Sequence, residues 1–260
     1  MHDDVMLLER HYAEAFAAEA VVPGVEVHCD RDVTWVVHTG VAWRNAGVML
    51  RFAESSAARR LDSLVRRYER HGRGMGFWVS PLATPQNLGQ LLSSRGLRCR
   101  KHFPAMIRRL EKSDRSDSPS FTIELRRVVD ASEFVKIPHP AIGRITTTIR
   151  RAELRRLATL VAQPSSRTRA FVAWIDDKPV GAIELFIDGD CAGVHGLDVL
   201  SDYQGRGIGS VLLERACQEA AASRCKSVVL IATTEGQRLY ERRGFTEFAR
   251  FGYWYRSFQR

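Results

Sequence analysis

Glycines alternate in the run Gln204-Gly205-Arg206-Gly207-Ile208-Gly209, which is followed by Ser210. Without a Cβ at every second position, successive backbone N–H groups can turn toward one point, and such a row of amides receives an anion. Apolar and β-branched residues over 194–200 predict a strand ahead of the run, and the alanine-rich stretch after it predicts a helix over 208–223. The positive end of that helix points at the same place, so the turn suits a pyrophosphate. It has neither the G-x-G-x-x-G spacing of dinucleotide-binding turns nor the Gly-Lys-Ser/Thr ending of a P-loop.

The elements that must hold this turn can be read on either side of it. Strands are expected at 121–128, 170–175, 180–187, 227–232 and 246–255, and helices at 151–161 and 235–243. Asp176-Asp177-Lys178-Pro179 and Asp188-Gly189-Asp190 mark tight turns between strands. Strands and helices in this order suit an α/β fold, a mixed sheet covered by helices.

Glu111-Lys112-Ser113-Asp114-Arg115-Ser116-Asp117-Ser118-Pro119-Ser120 is polar and poor in apolar residues, the composition of a linker. It divides the chain into an N-terminal domain (1–112), a linker (113–120) and a C-terminal domain (121–260). The first domain repeats the plan of the second in weakened form. Leu91-Leu92-Ser93-Ser94-Arg95-Gly96-Leu97 aligns without gaps on Leu239-Tyr240-Glu241-Arg242-Arg243-Gly244-Phe245, and both glycines suit a left-handed helix end. Thr84-Pro85 is expected to start the helix of the first copy. Ahead of its earlier helix, 57–70, Arg51-Phe52-Ala53-Glu54-Ser55-Ser56 has no glycine, and Leu92 stands where the second copy has Tyr240. The first copy is therefore expected to lack a cofactor site. Its Trp78-Val79-Ser80-Pro81 and Asn45-Ala46-Gly47-Val48 segments suit core and turn positions, or the lining of a shared cleft.

Leu197-Asp198-Val199-Leu200-Ser201-Asp202-Tyr203 leading into the glycine run, the alanine-rich helix and Val/Leu strand beyond it, and the Leu239–Phe245 segment together resemble the GCN5-related N-acetyltransferases (GNAT). The doubled plan is similar to tandem bacterial members with a degenerate N-terminal copy. The resemblance implies two tandem domains, each a mixed, mostly antiparallel sheet flanked by helices. It implies acetyl-CoA as cosubstrate and transfer of an acetyl group to a primary amine of a small molecule or peptide. On the same resemblance, the pyrophosphate falls to Gln204, Gly205, Arg206, Gly207, Ile208 and Gly209, with Ser210 as an added hydroxyl. The pantetheine arm falls to the backbone of Leu197 and Val199, with Asp198 on the opposite face of the strand. Thr233 stands where relatives often carry an asparagine that contacts the arm.

Acetyl transfer also needs proton donors and acceptors. Tyr240 is expected to act as general acid toward the departing thiolate, since a phenol with an ordinary pKa of about 10 keeps its proton at neutral pH. The other reading of Tyr240 is a ring packed in the core. His195, expected on the face of Leu197 and Val199, and Glu184 on the preceding strand are the candidate bases, each also readable as a structural residue. A non-catalytic acyl-CoA-binding module that recruits a partner is the alternative to an enzyme.

With 260 residues and 45% hydrophobic content, the chain has enough apolar side chains for two packed cores. No apolar stretch approaches a membrane span and no signal peptide is legible, so no membrane association and a cytoplasmic location are expected. Cys29, Cys99, Cys191, Cys217 and Cys225 are scattered, and the histidines lack ligand spacing, so neither disulfides nor a metal are expected. The net charge of +9 comes from arginines spread over many elements, so nucleic acid is not the expected partner. Part of that charge can serve a phosphate-rich cofactor. Acceptor identity, acyl-chain length and the question of a homodimer are left open.

Overall fold

Helices form in this chain where apolar residues return at three- and four-residue intervals, and strands where β-branched and aromatic residues cluster. The computed structural model describes residues 1–39, 44–71, 74–111, 123–128 and 147–258. These pack into two compact units.

The first unit comprises Met1–Ala105, Ile231–Thr234 and Glu247–Arg260. Helix α1 (His2–Ala18) buries Val5 and Leu8 and packs beside strands β1 (Val25–Cys29), β2 (Thr34–His38) and β3 (Ala46–Val48). The strands pair antiparallel, with Val27 opposite Val36 and Trp35 opposite Gly47. In α2 (Ala57–Arg70), Leu61, Leu64, Val65 and Tyr68 share the buried face while arginines fill the exposed one. This helix carries the chain to β4 (Met75–Val79), which is parallel to β3. The short α3 (Leu88–Ser93) and β5 (Arg98–Arg109) follow, and the C-terminal strand Thr246–Arg256 runs antiparallel to β4. The Tyr68 hydroxyl donates to the Val36 carbonyl at 2.8 Å, which satisfies it inside a core of Trp35, Leu61, Leu64 and Phe77.

The second unit comprises Met106–Leu230 and Glu235–Thr246. It contains β6 (Glu124–Arg127), α4 (Thr147–Val161), β7 (Thr168–Ile175), β8 (Lys178–Asp188) and β9 (Cys191–Val199). Helix α5 (Ile208–Ala222), β10 (Ser227–Ile231) and α6 (Thr234–Arg242) follow, ahead of β11, the C-terminal strand. The sheet order is β10-β9-β8-β7-β6, antiparallel except for the parallel pair β9/β10. Strand β8 is buried from Val180 to Phe186 because α4 covers one face and α5 the other, which accounts for its unbroken apolar run.

The order β1-β2-β3-α2-β4-α3 returns as β7-β8-β9-α5-β10-α6. Each series runs three antiparallel strands, a crossover helix to a parallel strand, and a short helix. Both short helices end at a left-handed glycine, Gly96 at φ 77° and Gly244 at φ 78°. Leu97 N–H donates to Leu92 O at 3.1 Å, and Phe245 N–H donates to Tyr240 O at 3.0 Å in the same way.

Some local readings change. Helix α1 gives no strong sequence signal and is present. Helix α4 begins at Thr147 rather than 151, and the strand expected at 121–128 is described as Glu124–Arg127. Asn87, not Thr84, precedes α3, because Thr84 is used in strand pairing. The expected linker, 113–120, lies outside the described residues.

Arg108 and Glu214 form a buried ion pair at 3.1 Å in the second unit. Removing one partner strands the other charge in the core. Glu214→Leu should lower unfolding free energy by about 3 to 5 kcal/mol, and Arg108→Met with Glu214→Leu should recover most of it, read by urea unfolding.

Candidate functional site

The glycine run lies where the sequence places it, between β9 and α5. A 3-10 turn covers Ser201–Tyr203, and Gly207 is the N-cap of α5. Gly205 at φ 76° and Gly207 at φ 82° adopt a left-handed backbone that a side chain would strain, and 204–207 are exposed. Val211 N–H donates to Gly207 O at 3.1 Å, so the amides of Ile208, Gly209 and Ser210 are first-turn donors with no intrahelical acceptor. Gln204 Nε2 donates to Val199 O at 3.0 Å and ties the loop to β9. Gly209 is needed for packing: a Cβ there would lie 3.2 Å from Leu239 Cδ2.

Two cations flank the loop. Lys178 Nζ and the Arg206 guanidinium lie 5.0 and 5.1 Å from the Tyr203 ring centre. Lys178 reads in the sequence as part of a turn only, and no local pattern links it to the glycine run. With the first-turn amides, these charges make the loop a positive concavity suited to phosphate groups.

Beside the loop, β9 separates from its parallel neighbour. Pairing with β10 runs Ser227–Cys191, Val228–Ala192 and Val229–Gly193 and ends there, while β9 continues to Val199. Leu197 and Val199 stand opposite Ile183 and Gly181 of β8, and on the side away from β8 the Val199 carbonyl is taken by Gln204 while no strand pairs with this stretch. That edge of β9 is therefore open to an extended ligand arm, which could pair with it as an added strand.

The acid–base candidates differ in what holds them. Tyr240 is 8% exposed on α6 and packs edge-on against Phe245 at 5.7 Å. Burial, and then the charge of Asp198, raise its phenol above the ordinary value. Glu184 is buried and accepts from Arg156 Nη2 at 2.5 Å, and Arg156 on α4 is 2% exposed. His195 does not share the face of Leu197 and Val199. Glu184 pairs with Gly196 and Leu185 with Val194, so His195 is the extra residue of a β-bulge, and the bulge breaks the strand alternation. Its ring stands perpendicular to Phe186 at 6.2 Å. Thr233 is exposed just ahead of α6.

Asp198 is a residue that strand alternation assigned to the far face. It stands opposite Ala182, the residue of β8 that packs with Leu157, Val172 and Trp174 beside α4. Burial alone pushes its carboxyl up to about 7. Sequence held no sign of its influence on Tyr240, because the two are brought together only by packing.

The equivalent place in the first unit is closed. Thr84 N–H donates to Leu50 O at 3.1 Å, Phe52 N–H to Thr84 O at 3.2 Å, and Thr84 Oγ1 to Phe52 O at 3.1 Å. These bonds occupy the strand edge that in the second unit stays open. Beside them, Glu9 of α1 is 2% exposed and binds Arg51 Nη2 at 2.5 Å and Ser80 Oγ at 2.6 Å. Ahead of α2, Ser56 and Ala57 N–H groups both donate to Ala53 O, so no row of amides faces outward.

Among the described residues, no group of three His, Cys, Asp or Glu side chains could hold a metal, and no helix is long and apolar enough to cross a membrane. Among the described residues no cysteine is in a disulfide, and burial raises the thiols of Cys191 to about 12 and Cys225 to about 11, away from the thiolate form.

Residues 142–245 match the family model described as the acetyltransferase (GNAT) family. No curated protein matches the chain. Among solved structures, a GCN5-related N-acetyltransferase from Kribbella flavida is 17% identical with a TM-score of 0.67, over 93% of this chain and 94% of that one. A tandem GNAT protein from the clavulanic acid biosynthesis pathway is 13% identical with a TM-score of 0.60, over 100% and 96%. A GCN5-related N-acetyltransferase from Sphaerobacter thermophilus is 17% identical with a TM-score of 0.59, over 91% and 76%. At these identities the likeness is one of fold.

The raised carboxyl of Asp198 has a consequence for stability. The folded state holds this proton up to about pH 7, whereas an unfolded aspartate loses it near its ordinary value of about 3.9. Its contribution is thus complete below the unfolded value and lost as pH rises through the folded one. Asp198→Asn should raise the melting temperature at about pH 8 and leave it nearly unchanged at about pH 4, read by calorimetry at both values.

Proposed function

We propose that this chain, whose residues 142–245 match the acetyltransferase (GNAT) family model, is an acetyl-CoA-dependent N-acetyltransferase acting on a primary amine of a small molecule or peptide. The observation that carries this reading is the junction of the open β9 edge with the amide-lined loop that starts α5. A pyrophosphate at Gly205–Ser210 would leave the attached pantetheine arm to run along Leu197 and Val199. The thioester would then lie near Tyr240, with a β9 amide available to polarise its carbonyl. Lys178 and Arg206 supply charge for the remaining phosphate. Thr233 can add a hydroxyl contact to the arm.

Each step falls to a different group. The amine nitrogen attacks the carbonyl carbon, backbone N–H groups carry the developing oxyanion charge, and the C–S bond breaks. Tyr240 gives the thiolate its proton, the nitrogen releases one proton to solvent water, and solvent returns one to the phenolate. Glu184 is committed to Arg156, and His195 is turned by its bulge toward Phe186, so neither is assigned the amine's proton. The first unit, whose equivalent edge is filled by its own Thr84, is assigned no cofactor; the chain is thus read as a tandem protein with one degenerate copy.

Tyr240→Phe should lower the rate of acetyl transfer about 100-fold while CoA affinity stays within about threefold of wild type. An unchanged rate would move Tyr240 to a packing role. Gly207→Val should weaken CoA binding at least about tenfold, because a β-branched residue cannot hold this left-handed backbone without strain. The measurements are thiol release with an amine panel and calorimetric titration with CoA. CoA binding without transfer to any amine would favour a non-catalytic acyl-CoA-binding module.

A further inference from the structure

We propose that one face of the first unit, made by β4, β11 and residues 98–105 of β5, binds single-stranded RNA. Only the first unit is involved, and the acetyltransferase reading is not required. Strands β4 and β11 pair with Trp78 opposite Tyr253 and Gly76 opposite Tyr255. Their alternate residues Met75, Phe77 and Trp254 pack into the core with Leu61 and Leu64 of α2, so Trp78, Tyr253 and Tyr255 stand on the other face. Strand β5 lies beside β11 and adds Phe103. The four rings form a continuous row. Phe103 is edge-on to Trp78 at 5.5 Å, Trp78 packs on Tyr253 at 4.6 Å, and Tyr253 on Tyr255 at 6.1 Å. Glycines of β4 let the two tyrosines lie down on the sheet: an ideal Cβ on Gly76 would come 2.5 Å from the Tyr253 hydroxyl oxygen, and one on Gly74 would run into that of Tyr255. All four rings are only half-buried.

Cations border the row at both ends. The Arg100 guanidinium lies 5.6 Å from the Tyr255 ring centre, and Lys101 Nζ lies 5.8 Å from that of Phe103. Arg98, Arg100 and Lys101 are exposed and have no ion-pair partner among the described residues. Within the first unit these three strands carry one acid, Glu247, and Arg250 binds it at 2.8 Å. The surface therefore presents positive charge that no carboxylate of its own strands offsets. The Tyr253 and Tyr255 hydroxyls and the Trp78 indole N–H make no hydrogen bond among the described residues. Burial, and then Tyr255, raise the Tyr253 phenol, so its hydroxyl keeps its proton and can donate.

A row of flat rings with a cation at each end matches a chain of flat groups joined by anions. Successive bases stack on aromatic side chains while their phosphates meet Arg and Lys. In a duplex the bases cover one another, so the face suits a single strand. Ribose 2′-hydroxyls both donate and accept, which suits the unbonded tyrosine hydroxyls and indole N–H and favours RNA over DNA. Arginines spread along the chain argued against nucleic acid, but that spread hides a cluster which only strand pairing makes. Arg98-Cys99-Arg100-Lys101-His102-Phe103 and Arg250-Phe251-Gly252-Tyr253-Trp254-Tyr255-Arg256 lie far apart in sequence, and the adjacency of β5 and β11 gathers them into one aromatic and basic surface.

The test is fluorescence anisotropy of the full-length protein with a labelled single-stranded RNA of about 12 nucleotides, beside DNA of the same sequence and the RNA duplex. Affinity for the RNA should fall with salt at a log–log slope of about −2, the value for three phosphate contacts on a single strand. Arg100→Gln and Lys101→Gln should each weaken binding about fivefold at ~0.1 M salt and flatten the slope by about 0.7. Trp78→Leu and Tyr255→Leu should each weaken it about tenfold, because a stacking surface is lost. Arg59→Gln, exposed on α2, should bind as wild type does. Melting temperatures show which variants are folded, and the two exposed charge changes keep the test readable if an aromatic variant unfolds. RNA binding weaker than about 1 mM, or DNA or duplex bound within about twofold of the single-stranded RNA, overturns the assignment. Unchanged affinity in both charge variants overturns it as well. Displacement of the RNA by CoA would put the strand at the glycine loop instead, and that too contradicts it.

Discussion

Everything assigned to the second unit depends on where the pairing of β9 with β10 stops. A parallel pair must be joined by a crossover, and here the crossover is α5, whose first turn has to begin beside the end of β9. Strand pairing that ends at Gly193 and Val229 leaves the last six residues of β9 paired with a strand on one side only. Backbone groups in such an edge need partners. An extended arm with amide groups of its own can supply them, and the positive end of α5 lies at the mouth of the same opening. On the proposed reading, binding and orientation of a thioester follow from one termination of a hydrogen-bond ladder.

The first unit meets the same constraint in another way. After the parallel pair β3/β4, the chain returns through Thr84 and pairs with Leu50 and Phe52. Glu9, Arg51 and Ser80 fill the space beside that pairing with a buried polar network. Two units with the same order of elements therefore differ in whether the chain satisfies its own strand edge or leaves it for a ligand. Arg156–Glu184 and Arg108–Glu214 are buried with partners and hold elements together.

Sequence showed most of what is local. The glycine run, the helix after it and the paired Gly96 and Gly244 helix ends are short patterns whose backbone needs are set by the residues themselves. Features made by distant packing were not legible. The β-bulge adds one residue to β9, so His195 leaves the face that simple alternation gives it, and only the register with β8 reveals this. Lys178 and Arg206 meet over Tyr203 although a whole hairpin separates them. Thr84 has the residue type of a helix cap, but a strand edge with open carbonyls claims it first. Asp198 had the right strand and the right face, yet nothing in its neighbours along the chain pointed to Tyr240.

The central claim is that one strand edge is open and its counterpart is closed. Calorimetric titration of the full-length protein with CoA tests it most directly, with the heat normalised to chain concentration. The account predicts saturation at about one CoA per chain, and loss of that site when Gly207 is replaced by valine. Saturation at two equivalent sites, or a single site that survives the Gly207 change, would contradict it.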